Sequence, residues 1–176
     1  MNPAPRYLGL DLGKCTGWAI AEGDRIIQSG VRDFSVKSSE HIGHRGIKFY
    51  NFLCSLGRVD EIYYEEIQFG GNFKNKAGQW ISPSSDGREF YHGLLMLVNM
   101  YAAGYGIPTF PMHPSTLKKA FAGHGHAEKE DMCRVAHARG WRGGRPGTDS
   151  CHDEVDACAL LITQLQQKYG INLSFT

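Results

Sequence analysis

No apolar run in the 176-residue chain approaches the roughly 20 residues that a bilayer-spanning helix requires, so no transmembrane helix is expected. The leading MNPAPR passes straight into strand-like sequence, without the apolar core and small-residue cleavage site of a signal peptide, and the expected location is the cytoplasm. The five cysteines, Cys15, Cys54, Cys133, Cys151 and Cys158, have no C-x-x-C spacing and are odd in number, which predicts free thiols rather than a disulfide framework. Cys151-His152 lacks the second pair of ligands usual for structural zinc. The G-x-x-x-x-G-K-[ST] pattern is absent, which excludes a nucleotide-hydrolysing P-loop. There is no internal repeat or low-complexity segment, and the net charge of +1 gives no bulk attraction to polyanions.

What is present fits one domain of ordinary size, 1–176, with 41% hydrophobic and 21% charged residues. Residues 7–12, 17–22 and 26–34 predict three short strands in an antiparallel meander, broken by glycines and the Glu22-Gly23-Asp24 turn. Ser38 or Ser39 offers an N-cap for a helix running to Leu56, and VDEIYYEEI over 59–67 reads as a fourth strand. Residues 68–86, with Lys74, Lys76 and Trp80, predict a long loop. A helix follows over 87–104, apolar on more than one face and therefore either central or covered by a partner. A strand at 107–112, a helical turn at 114–120, a helix at 127–139 and a last one from His152 or Asp153 to Lys168 complete the chain. The order βββ-α-β-α-β-α-α predicts an α/β fold of ribonuclease H-like type, a mixed five-stranded sheet flanked by helices.

Acids occur where a local structural role is unconvincing. Asp11 lies within the first strand among apolar neighbours, although strands disfavour Asp. Glu65-Glu66 ends the fourth strand, and only one of two adjacent strand residues can face a given side. Asp153 and Asp156 share a helix face by their i, i+3 spacing, although acids opening a helix also simply answer its macrodipole. If strands one and four are neighbours, these carboxylates converge and raise one another's pKa unless hard divalent cations sit between them. Between Leu117 and Arg145 seven basic residues face three acidic ones, a local positive patch or a solvated helix face. The GHGH turn at 123–126 offers backbone N–H groups ahead of a helix, a candidate phosphate cradle.

Four blocks in order resemble the RuvC-type Holliday-junction resolvases of bacteria and bacteriophages, within the ribonuclease H-like superfamily. GLDLGKCTGWAI resembles the first-strand block, IYYEEIQ the fourth-strand block, LKKAFAGHGHAEK the block with two functional lysines, and DEVDACALL the closing block. The resemblance implies a metal-dependent crossover junction endodeoxyribonuclease. It puts Asp11, Glu65, Asp153 and Asp156 at metal-binding positions for two Mg²⁺ ions, with Mn²⁺ as substitute, and Lys118 and Lys129 at functional lysines. It favours Glu65 over Glu66, and some relatives carry His at the position of Asp153, while Glu154 is an additional acid without an assigned place. The implied partner is four-way or otherwise branched DNA, contacted by Lys118, Lys119, Lys129, Lys74 and Lys76. Phe69 or Phe73 is the candidate wedge at the crossover, and a loop residue capping the core is the alternative. Two symmetric cuts call for two active sites, hence a homodimer, with the 87–104 helix as its candidate interface. Products would carry 5′-phosphate and 3′-hydroxyl ends. The alternatives are a less selective flap or fork nuclease and a non-catalytic branched-DNA-binding protein. GLDLG also resembles the first phosphate loop of actin-like and sugar-kinase ATPases, but those need two such domains and the chain has room for one.

Overall fold

The computed structural model describes residues 3–66, 73–74, 80–81, 85–143 and 149–175. The three-stranded meander is β1 (Arg6–Asp11), β2 (Cys15–Glu22) and β3 (Arg25–Asp33), followed by α1 (Gly43–Ser55) and β4 (Glu61–Glu65). Then come β5 (Phe73–Lys74), β6 (Trp80–Ile81), α2 (Ser85–Tyr105), β7 (Thr109–Met112), α3 (Pro114–Ala122), α4 (Lys129–Ala138), α5 (Asp149–Tyr169) and β8 (Ser174–Phe175). The main sheet is mixed and has the order β7-β4-β1-β2-β3-β8. Strand β1 pairs antiparallel with β2 and parallel with β4, so the first and fourth strands are neighbours as expected.

Several details differ from expectation. The sheet has six strands rather than five, because β8 adds two residues parallel to Arg25–Ile26, a pairing too short to leave a hydrophobic pattern. Within 68–86, β5 and β6 pair antiparallel as a small separate ladder. Helix α1 starts at Gly43, without a side-chain cap, because Glu40 accepts the Lys37 N–H and closes the Ser38-Ser39 turn on itself. Helix α5 begins at Asp149, so Asp153 and Asp156 stand beyond its first turn, where a macrodipole role has largely faded.

The alternation of side chains gives the sheet two buried faces. Leu8, Leu10, Ile20 and Ile62 pack under α1 and α2, against Phe49, Leu53, Leu94 and Val98. Tyr7, Ala19, Ala21 and Tyr63 pack on the other side, under Leu117 of α3, Met132 of α4 and Val155, Ala157 and Leu161 of α5. Helix α2 buries Tyr91, Leu94, Val98, Tyr101 and Ala102, yet leaves Met96, Met100 and Tyr105 exposed, as do Ile42 and Ile47 in and beside α1. Among the described residues no helix is long and apolar enough to cross a membrane.

Helix α5 lies against β1 and β2 with almost no gap. A Cβ on Gly9 would stand 2.7 Å from the Ala157 carbonyl oxygen, and one on Gly17 only 1.8 Å from that of Asp153. A Cβ on Gly93, midway along α2, would meet nothing within 4 Å. Gly9→Ala is therefore expected to destabilise the fold by about 1–3 kcal/mol through overpacking. Gly93→Ala is expected to stabilise it by about 0.5–1 kcal/mol, since only helix propensity changes. Urea denaturation of the two variants checks both signs.

Candidate active site

The site forms where β1 and β4 end side by side. The parallel register pairs Leu10 with Tyr64, which sets Asp11 and Glu65 at adjoining strand ends. Tyr7 and Tyr63, each an even number of residues away from these acids, pack under α5, so Asp11 and Glu65 point to the face that α5 covers. Glu66 is exposed, and its N–H bonds the Met112 carbonyl. The Tyr91 hydroxyl donates to the Glu65 carbonyl at 2.9 Å, which ties the end of β4 to α2. On the other side of Asp11, the Thr16 hydroxyl donates to the Gly13 carbonyl at 2.8 Å and closes the β1–β2 turn.

Helix α5 brings the second pair of acids. Gly17 faces Asp11 across the β1–β2 ladder, and the Asp153 carbonyl abuts Gly17, so the approach of the helix delivers this turn directly over Asp11. The four carboxyls act on one another. Burial, then Asp156, Glu65 and Asp153, raise the Asp11 carboxyl well above its ordinary range, with Lys129 partly offsetting them. Burial, reinforced by Asp156, pushes Glu65 up to about 7 against the pull of Lys118. Asp156 is raised to about 6 by burial, with Lys118 and Lys129 opposing and Asp153 adding.

Lys118 and Lys129 come from different helices. Helix α3 is started by Pro114 and the His113 side chain, which accepts the Ser115 N–H, and half-buried Lys118 lies one position from exposed Lys119. Lys129 opens α4, whose N-terminus is closed by a capping box of Glu128 and Asp131. This corrects the reading of GHGH as a phosphate cradle: Gly123 is the left-handed C-cap of α3, and acidic side chains already satisfy the entry to α4. Phe69 and Lys76 lie outside the described residues, while Phe73 and Lys74 form β5.

Three contributors escaped sequence reasoning: Gly17, whose missing side chain admits Asp153; Thr16; and Glu154, whose carboxylate accepts from Ser29 and Trp141. The spacing of Gly9 and Gly17 around Asp11 was the available signal, but glycines also punctuate turns. Among the described residues no three His, Cys, Asp or Glu side chains close into a finished metal cage. The donor set is nonetheless all carboxylate oxygen and short of positive charge, which suits hard divalent cations rather than zinc or copper.

A crossover junction endodeoxyribonuclease RuvC from Anaeromyxobacter sp. strain Fw109-5 is 42% identical over 167 residues, covering 93% of this chain and 74% of that protein. The chain belongs to the RuvC family. A RuvC from Bradyrhizobium sp. strain BTAi1 is 25% identical over 173 residues, 97% of this chain and 91% of its own length. The structure of T. thermophilus RuvC in complex with a Holliday junction substrate superposes with a TM-score of 0.68 over 93% of this chain and 96% of that one. At 18% identity that likeness concerns the fold, which is ribonuclease H-like in both. No protein-family profile matches the chain.

The gathered acids carry a consequence for stability. Glu65 and Asp156 hold protons to higher pH when folded than their ordinary values of 4.5 and 3.8. The folded state thus binds more protons than the unfolded one between about pH 4 and 7, and stability of the metal-free protein falls as pH rises through that window. Glu65→Gln removes one of these half-buried charges. It is expected to raise the melting temperature at pH 8 by about 2–4 °C per kcal/mol regained, and to flatten the pH profile, while Glu66→Gln leaves both unchanged.

Proposed function

We propose that this chain resolves four-way (Holliday) DNA junctions as a crossover junction endodeoxyribonuclease, cleaving a phosphodiester bond to leave 5′-phosphate and 3′-hydroxyl ends. The observation that carries the reading is the gathering of Asp11, Glu65, Asp153 and Asp156 at one sheet end, within electrostatic reach of Lys118 and Lys129. The 42% identity to a protein named for that activity supports it.

Those end groups require a water oxygen to bond to phosphorus while the bond from phosphorus to the 3′ oxygen breaks. The water gives up a proton and the leaving oxygen gains one. Asp11, Glu65, Asp153 and Asp156 would hold two divalent ions, Mg²⁺ or Mn²⁺, which when bound supply Lewis acidity and ease deprotonation of water. The chain's own contribution is orientation and charge. Strand β1 and helix α5 hold the half-buried acids over a close backbone contact, which disfavours side-chain wandering. Lys118 and Lys129 balance the carboxylates and present positive charge to the scissile phosphate. Lys119, Lys74 and Lys76 extend the contact to flanking phosphates, and Phe69 or Phe73 meets the crossover. Lys118, Lys119 and Lys129 set this DNA-facing side against the α1/α2 face, whose exposed Met96, Met100, Tyr105, Ile42 and Ile47 suit a homodimer with two cutting sites. The setting is cytoplasmic, with DNA rather than a membrane as the partner.

Cleavage of synthetic four-way junctions, forks, flaps and linear duplexes in Mg²⁺ tests the reading. The native chain should cut the junction preferentially, and Asp11→Asn should lose about 100-fold or more in rate while still binding it. Native-rate cutting by Asp11→Asn would overturn the assignment of the acids. Equal rates on forks and junctions would make the enzyme a less selective branched-DNA nuclease.

A further inference from the structure

We propose that Glu154 is a positioning residue, pinned by Ser29 and Trp141 so that the α5 turn carrying Asp153 and Asp156 stays aimed at Asp11. The inference rests on the nuclease reading above. Successive helix residues step by about 100°, so Glu154 leaves the α5 surface on a different side from Asp153 and Asp156. Its Oε1 accepts from the Ser29 hydroxyl of β3 at 2.6 Å and from the Trp141 indole N–H at 3.3 Å. The chain closes round this oxygen: a Cβ on Gly143 would stand 2.7 Å from Oε1 and 2.9 Å from the Trp141 indole nitrogen.

Both donors are themselves held. Ser29 pairs with Ala19 in the ladder between β2 and β3. Trp141 is buried, its backbone N–H bonds the Ala136 carbonyl, and its own carbonyl lies 3.1 Å from His137 Nδ1. The indole therefore extends the anchoring to α4, the helix that begins with Lys129. On the sheet side the Asp153 carbonyl is seated on Gly17. The turn is thus fixed from two directions, by backbone against Gly17 and by the Glu154 carboxylate against β3 and the exit of α4. A carboxylate accepting two donors from separate segments resists both rotation of the helix and its withdrawal from the sheet.

The test compares native protein with Glu154→Ala, Glu154→Gln and Ser29→Ala, all as the full chain. Four quantities are read: Mn²⁺ binding by calorimetry without DNA, the Mg²⁺ concentration for half-maximal junction cleavage, junction binding without metal, and the melting temperature. Glu154→Ala should weaken Mn²⁺ binding and raise the Mg²⁺ midpoint by about 10-fold or more, with metal-free junction binding kept within about twofold. Glu154→Gln retains an amide oxygen for both donors and should recover most of the native metal response. If folded Glu154→Ala binds Mn²⁺ like the native chain, the proposal is wrong. It is equally wrong if Glu154→Gln is as damaging as Asp11→Asn, because Glu154 would then act on metal or substrate directly. Should Glu154→Ala fail to fold, Ser29→Ala decides: a shifted Mg²⁺ midpoint supports the clamp and a native one overturns it. A native chain that neither binds Mn²⁺ nor cuts junctions would sink the nuclease reading and the clamp with it. A native chain that does both, with unshifted variants, sinks the clamp alone.

Discussion

The separation between α5 and the sheet is the constraint on which the site depends. Side chains standing out of the pleat hold a helix away from the strands beneath it, which keeps short aspartates from meeting an acid on the strand below. Gly9 and Gly17 remove the obstruction at two points, and the Ala157 carbonyl and the Leu161 side chain close over the first of them. The Asp153 carbonyl then rests where a side chain of β2 would have been. Asp11 shares its sheet face with Gly9 and its ladder position with Gly17, so the low point of the interface and the centre of the acid cluster coincide.

Gathering acids there is unfavourable for the isolated chain. Burial and mutual repulsion raise Asp11, Glu65 and Asp156 together, and two lysines supplied by different helices relieve only part of the strain. The fold tolerates the cluster because both faces of the sheet carry full apolar cores, with Leu10 directly before Asp11 and Tyr63 two residues before Glu65 among their buried members. Stability is thus supplied by the layers and spent at one edge, a distribution typical of sites that must hold charge ready for a ligand.

Asp11, the Glu65-Glu66 alternation and the Asp153/Asp156 spacing were legible because period-two and i, i+3 rules fix which side chains share a face before any long-range contact is known. The pairing of β1 with β4, which the element order allowed without requiring, is supplied by the fold. Other features had no local trace. The Ser29 to Glu154 bond joins residues 125 positions apart, so nothing near Glu154 in the chain distinguishes it from a solvated acid. The start of α5 at Asp149 is hidden by the Thr148-Asp149-Ser150 stretch, whose composition reads as a turn, and β8 is too brief to show a period. The GHGH turn misled for a physical reason: glycine serves equally at a phosphate loop and at a helix C-cap, and Gly123 has the positive φ of the latter.

The same alternation that places the acids also divides labour across the sheet. Residues at odd positions of β1 serve the α5 side, and those at even positions serve α1 and α2. A change in packing beneath α2 therefore reaches the acids through the strand backbone or through Tyr91, whose hydroxyl holds the Glu65 carbonyl. That bond is a direct polar link between the apolar α1/α2 face and the end of β4. Association at α2 would load the helix bearing Tyr91, and a shift of that helix would be felt first at Glu65, the acid whose backbone carbonyl Tyr91 holds.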